Sequence, residues 1–552
     1  MLGVEQETTL KTSAVKAGSG VAVLLAVSTL AWLWIYSKVS SAVENRASLH
    51  LDSVHTLNFS GVGEMPIVEG YPPSPQDVAN FQEWLNPDQI NLSEVWSLGS
   101  TDIHPPLYTT LVHLLRVAGL DFKTAFLAVN MLGSILLMIG ICITCFKDQR
   151  SSLKVCSALL FVTLTPATFA ASQEARQWVL FAGLSMLSMS FLATVTVSNL
   201  RGETIGKRHL ALIIVSVVVT LLVETSFVLG LLAWAVSSQV LAFPRNRFQH
   251  QSKVSLQIAI PVIGLWLVLS PGTLGHFRGA TSLRSQGDST WSLFVPRLNT
   301  EISVWFLRRM GDLWQMGGDR RVTYVLLIVS SILLLLSQLR TGILSKGSSS
   351  GGTSRKVPTH GFIIGLVGTV WTLFYFALFS LEYLPTYAVG FKYVLPFGVL
   401  LLFGIFDGVS ALRAGVLGAM LLAMVMIYHA NALDLPGQRQ GALVSEMLAA
   451  DGIAVVGAQW DVANIMYAIS EVDESSSPDV LWFRSPARWR EGICAAFPDE
   501  ARVAVYVDRP PWGDGLSELF DGWELASEKR VLGELEFGEV AVVSACTRQR
   551  TG

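Results

Sequence analysis

The chain is punctuated by apolar runs close to the length that crosses a bilayer. They lie near 18–38, 124–146, 153–171, 177–198, 209–223, 225–243, 254–270, 322–339, 360–380, 393–409 and 412–430, eleven runs in all. A helix needs roughly 20 apolar residues to cross a hydrocarbon core about 30 Å thick. Lipid offers the backbone no hydrogen-bond partner, so each crossing segment must satisfy its own. Such a chain folds as a polytopic α-helical membrane protein. Composition agrees: 51% of residues are hydrophobic and 15% charged, against about 25% charged in soluble domains. The formal net charge is −3, and no basic tract interleaved with aromatics suggests a nucleic-acid partner. The first run, GVAVLLAVSTLAWLWIY (20–36), has no small-residue cleavage site after it. It reads as a retained span rather than a signal peptide.

Two stretches fix the path. The run 209–243 is interrupted only by Glu224. As one helix it would reach roughly 50 Å, so two helices with a tight hairpin at Glu224 are expected. The hairpin also keeps a carboxylate out of the bilayer centre, where insertion costs about 2.5–3.5 kcal/mol. The segment Pro106–Ala118 covers only about 20 Å as a helix, too short to span. Thr109, His113 and Arg116 fall on one face, and Leu107, Leu111, Leu114 and Leu115 on the other. This predicts a juxtamembrane helix with a wet polar face lying in the interface. The prolines of TDIHPPLYTT (101–110) suit a first helical turn.

With 105–120 not crossing and the N-terminus inside, loops 147–154, 201–208, 244–253, 340–357 and 407–413 face the cytoplasm. They hold fourteen Lys/Arg, while the short outer loops hold Arg176 and Lys392, as the positive-inside tendency asks. The outer loop 271–321, with seven arginines, runs against it. Three regions then lie outside: 39–123, 271–321 and the polar tail 431–552. Short apolar runs in the tail (IAVVGA, VLWF, VAVYVD, VAVVSAC) alternate with helical stretches, which predicts a small C-terminal α/β extracytoplasmic domain. It has no glycine-rich phosphate fingerprint. The segment SKGSSSGGTSRK (345–356) is a flexible linker. Cys142 and Cys145 sit in an apolar helix and read as small buried residues. Cys494 and Cys546 can pair if the tail lies outside the cytoplasm.

Polar residues gather at the outer ends of the spans. They are Asp52; Asp102 and His104; Glu174 and Arg176; and Glu382, Tyr387 and Lys392. Carboxylates can act as bases or hold cations, and Arg or Lys at the interface can bind a phosphate head group. Each also has a plain reading. An acid in a loop is usually just solvated, Arg176 can snorkel, and His50, Asp52 and His55 in an undefined loop do not make a metal site.

Four motifs, RASLHLDSVHT, TDIHPPLYTTLVHLL, SQEARQWVL and FKYVLPFGVLLL, together resemble the signatures of the GT-C membrane glycosyltransferases. The likeness is to the family 39-like branch that holds protein O-mannosyltransferases and lipid A aminoarabinose transferases, and it covers roughly 18–430. The resemblance implies a hexosyl- or pentosyltransferase of the cell (plasma or inner) membrane. It would move a sugar from a polyprenyl-phosphate donor to a lipid, glycan or protein acceptor at the outer face. Asp52 would be the general base of a one-step inverting displacement. Asp102, His104, Tyr108 and Glu174 would line the cavity, and Arg176 and Lys392 would hold the donor phosphate. No metal site is assigned, and a divalent cation stays open as a cofactor. The chain departs from the pattern at Ser53 (usually glutamate), Thr109 and Trp178 (usually tyrosines), and Lys392 (usually arginine). The hairpin reads ETSF where a histidine is expected. An inactive relative serving as a scaffold, and a transporter or flippase of lipid-linked saccharide, are the competing readings. Transporters place ionisable groups near the midplane; here those groups sit at one face.

Overall fold

The structure is a computed structural model. It describes residues 51–61, 89–101, 106–163, 171–272, 357–380, 391–408, 443–457, 459–472, 480–484, 492–497, 501–508, 530–535 and 538–544, with parts of 29–43 and isolated residues elsewhere. The loop 271–321, the linker 345–356, and the expected spans 322–339 and 412–430 lie essentially outside these residues.

The segment 39–123 contributes three short helices, α1 (Leu51–Phe59), α2 (Leu92–Thr101) and α3 (Leu107–Val117). The membrane part follows as α4 (Phe122–Lys147), α5 (Ser152–Thr163), α6 (Trp178–Arg201), α7 (Lys207–Leu221), α8 (Phe227–Ala242) and α9 (Phe248–Leu269). Two more helices, α10 (His360–Ser380) and α11 (Phe391–Gly408), complete the described bundle. Among the described helices, four are long and apolar enough to cross a membrane: α4, α6, α8 with the turn after it, and α9. The run 209–243 is two helices, α7 and α8, with Glu224 in the turn between them.

Helix α6 is the hub. Its apolar window is 83% buried, against 22% for α9 at the edge of the bundle. It runs alongside α4 so closely that a methyl on Gly183 would overlap the carbonyl of Gly133. Small residues permit this because lipid supplies no hydrophobic drive between helices, so contact area must come from close approach. The outward faces of α7, α8 and α9 carry exposed Leu212, Val215, Leu232, Val236, Leu256 and Ile260. Such a belt suits acyl chains rather than water.

The two ends of the bundle differ. At one end Asp148 caps α10, accepting from the backbone of His360 at 2.9 Å and Gly361 at 2.8 Å. Beside it Arg150 pairs with Asp407 at 2.5 Å, with Lys154 on the same carboxylate at 3.7 Å. Burial opposes ionisation of Asp148, but the His360 and Gly361 bonds outweigh it and hold the carboxyl below its ordinary value. Residues of two expected cytoplasmic loops, 147–154 and 407–413, thus meet the start of the expected span 360–380 at this end. The opposite end carries α1–α3, where Trp96 of α2 donates to the carbonyl of Leu269 at the end of α9 at 2.9 Å.

The tail holds β1 (Gly452–Val456), α12 (Gln459–Val472), β2 (Val480–Phe483), β3 (Arg502–Asp508), β4 (Arg530–Leu535) and β5 (Gly538–Ser544). The sheet order is β2-β1-β3-β5-β4. Pairing is parallel through β2, β1 and β3 and antiparallel through β5 and β4. Strand alternation gives two apolar faces. One, with Ala454, Val505 and Val543, packs on Ile493 and Phe497. The other, with Val455, Trp482 and Tyr506, joins Val462 and Ile465 of α12 and continues into the core of the membrane helices.

Candidate active site

The site is built around a turn. Residues Ser172–Gln177, the heart of the third motif, sit just before α6, with Glu174 N bonded to Ala171 O at 3.3 Å and Arg176 N to Glu174 O at 2.8 Å. Ala175 at its centre has no exposed surface, and Glu174 and Arg176 are buried. Three elements clasp this turn. From α1, Ser53 Oγ accepts from Ala175 N at 2.9 Å, and the Thr56 hydroxyl donates to Ala175 O. From α4, Asn130 Nδ2 donates to the carbonyls of Ser172 at 3.1 Å and Glu174 at 2.9 Å. From the α7–α8 turn, Glu224 Oε2 accepts from Gln177 Nε2 at 3.0 Å.

Helix α3 joins through the same asparagine: Tyr108 Oη donates to Asn130 Oδ1 at 3.2 Å. Its first backbone N–H, Leu107 N, bonds to Leu222 O at 3.2 Å. Burial pushes the Tyr108 phenol well above its ordinary value; Arg176 opposes this, and Tyr36 and Glu174 add to it. The phenol therefore stays protonated and serves as a fixed donor. The same charges show that Tyr108, Glu174 and Arg176 share one electrostatic neighbourhood. The first three motifs meet here within two side-chain lengths.

A second polar cluster supports the first. His113 Nδ1 donates to Ser60 O at 3.0 Å, while its Nε2 accepts from Asn91 N at 3.3 Å. That pairing requires the neutral ring. Arg116 donates to Ser60 Oγ at 2.8 Å and to Trp84 O at 2.9 Å. Burial lowers the His113 pKa and draws that of Arg116 down to about 10. The expected wet face of this helix is thus corrected. His113 and Arg116 are 0% and 3% exposed, whereas Leu114 is exposed. The helix is amphipathic as the sequence indicates, but the protein covers its polar face, while Leu107, Leu111 and Leu115 are half-buried against the core and Leu114 is exposed. Buried polar groups are tolerable here because each of these bonds is made.

The predicted residues fall as follows. Asp52 lies in the first turn of α1, one residue before Ser53, so the segment expected as loop is helical. Glu174, Arg176 and Tyr108 meet at the turn. Lys392 is in the first turn of α11. A ring chain, Phe181 to Trp371 at 6.1 Å and Trp371 to Phe397 at 5.8 Å, puts the start of α11 level with the start of α6. Asp102, His104, Glu382 and Tyr387 lie outside the described residues. Sequence reasoning missed Asn130, Thr56 and Gln177, and took Ser53 only as a departure. Asn130 carried a signal: it is the single side-chain amide in the run 124–146, and polar residues within spans are costly unless engaged.

No family model matches the chain, and no curated protein matches it. Among solved structures it is similar to ArnT from Cupriavidus metallidurans. For the apo state, identity is 13% and the TM-score 0.37, covering 96% of this chain and 98% of that one. For the form bound to undecaprenyl phosphate, identity is 12% and the TM-score 0.37, covering 95% and 97%. At that TM-score the likeness fixes neither fold nor chemistry.

Proposed function

We propose that this chain is a GT-C-like glycosyltransferase with about eleven spans, its membrane unit at 1–430 and an extracytoplasmic α/β domain at 431–552. It takes a sugar from a polyprenyl-phosphate carrier and passes it to an acceptor hydroxyl or amine at the outer face. The observation that carries this reading is the convergence on the Ser172–Gln177 turn. The helix bearing Asp52, the helix bearing Tyr108, and the turn bearing Glu174 and Arg176 are tied together by side-chain bonds across more than a hundred residues of sequence.

In this reading Asp52 removes the acceptor proton as the acceptor attacks the anomeric carbon, and the phosphate leaves with inversion. The leaving group is already a stable anion, so the displacement needs no strong general acid. Arg176 and Lys392 balance the charge of that phosphate. Lys392 does so as a point charge rather than a bidentate fork. Tyr108, locked as a donor, and Asn130 keep the turn that presents Arg176 in place. The Cys494 thiol is engaged in a disulfide, which suits an oxidising compartment for the tail; its expected partner, Cys546, lies outside the described residues.

The test is mass spectrometry of cell-envelope glycans and glycolipids in cells with the gene, without it, and complemented with Asp52→Asn. Loss of one sugar modification on deletion, restored by wild type and not by Asp52→Asn, supports the reading. Restoration by Asp52→Asn at equal protein level points to a scaffold. Accumulation of the intact lipid-linked saccharide on the cytoplasmic leaflet points to a flippase.

A further inference from the structure

Helix α1 has nine residues, and helices shorter than about 12–15 residues are marginal without tertiary support. One flank is held by Ser53 and Thr56 on Ala175. The other flank packs against α12 of the tail. Helix α12 is itself anchored beside α1 at the start of α4. The Tyr467 ring meets Phe122 edge-on at 6.2 Å, and Lys123 Nζ lies 5.6 Å from the centroid of that ring. Tyr467 is 4% exposed and Phe122 2%. Arg116, which holds the Ser60 end of α1, is felt electrostatically by Tyr467 as well. Val462, Ala463, Ile465 and Ala468 of α12 belong to the same continuous core as Leu57 of α1 and Phe126 of α4.

From this arrangement we infer that the tail is a clamp on the catalytic helix, with Tyr467 as a positioning residue that acts on Asp52 through α1. The inference rests on the glycosyltransferase reading only for its kinetic consequence. Its structural part stands on the packing alone. Truncating Tyr467 loosens α12 from α4 and with it the packing of α12 on α1, so the helix that carries Asp52 loosens. Lys392 stays on α11, and the turn of Arg176 keeps its Asn130 and Glu224 bonds.

The experiment is amide hydrogen exchange on the full chain in lipid nanodiscs, comparing wild type, Tyr467→Ala, Tyr467→Phe and Phe122→Leu. The expected result is exchange in 51–60 at least tenfold faster in Tyr467→Ala, a smaller rise in Phe122→Leu, and wild-type exchange in Tyr467→Phe. Exchange in 178–201 stays unchanged in all of them. A parallel assay uses undecaprenyl-phosphate-linked sugars and the acceptor fraction identified by the glycan comparison. It shows kcat falling about tenfold in Tyr467→Ala with donor KM unchanged, and recovery in Tyr467→Phe. Unchanged exchange in 51–60 in both Tyr467→Ala and Phe122→Leu overturns the clamp, as does a drop carried entirely by donor KM. Wild-type protein without transfer, but with the exchange pattern intact, overturns the enzymatic reading and leaves the clamp.

Discussion

Asn130 does more per atom than any other side chain described at the site. One amide satisfies the Tyr108 hydroxyl and two carbonyls of the Ser172–Gln177 turn. Asn130→Ala takes this partner from the buried Tyr108 hydroxyl and Ser172 carbonyl, at about 1–3 kcal/mol each, while the Glu174 carbonyl keeps its bond from Arg176 N. We expect a clear fall in thermal midpoint in detergent together with loss of activity, whereas a change on an exposed helical position such as Gln249→Ala leaves both intact. His113 gives a prediction with a sign. Burial depresses its folded pKa below the ordinary 6.5, so the folded state binds fewer protons than the unfolded chain. Its contribution is complete above about pH 6.5 and is lost progressively as pH falls toward the folded value. Thermal midpoints measured from pH 8 to 5 should drop on the acid side in wild type and drop less in His113→Gln. The helical spacing of His113 and Arg116 was legible in the sequence. What covered them was not, because a helical wheel separates two faces without saying which one meets protein. In lipid the usual inference inverts: the apolar face seeks the bilayer and the polar face seeks its own chain.

At the scale of elements, the hairpin at Glu224 was legible because length alone forbids one helix. The tail strands were legible because short apolar runs at close spacing have few other outcomes. The α4–α6 pairing was not, since glycines inside an apolar run look the same whether they face lipid or another helix. Gly183→Ala tests the contact. The added methyl meets the Gly133 carbonyl, an overpacking that costs about 1–3 kcal/mol. We expect a lowered melting midpoint, while Gly264→Ala, where nothing crowds the added methyl, shows little change. Helix α1 was hidden for a related reason. LDSVHTLNF has a weak apolar pattern, and its helicity comes from partners at Ala175 and α12 that lie more than a hundred residues away. Ser53, which looks like a lost acid in the motif, is in the structure a bond to Ala175 of the Ser172–Gln177 turn.

Across the described residues, the candidate site and the ionic anchor occupy opposite ends. The Asp148–His360 cap and the Arg150–Asp407–Lys154 cluster pin helices α4, α5, α10 and α11 at one end. The Ser172–Gln177 turn, the three short helices and the sheet-bearing tail sit at the other. Orientation is checked by Gln173→Cys in otherwise intact cells. We expect labelling by an impermeant thiol reagent added outside; labelling only after the cytoplasmic face is opened inverts the molecule. We propose that Asp52, in the first turn of α1, is the base for sugar transfer. Purified protein in proteoliposomes, given a polyprenyl-phosphate sugar and its acceptor, tests it most directly. We expect transfer with inverted anomeric configuration in wild type and a loss of at least about a hundredfold in Asp52→Asn, with exchange in 178–201 unchanged. Undiminished transfer by Asp52→Asn, or a product of retained configuration, would contradict it.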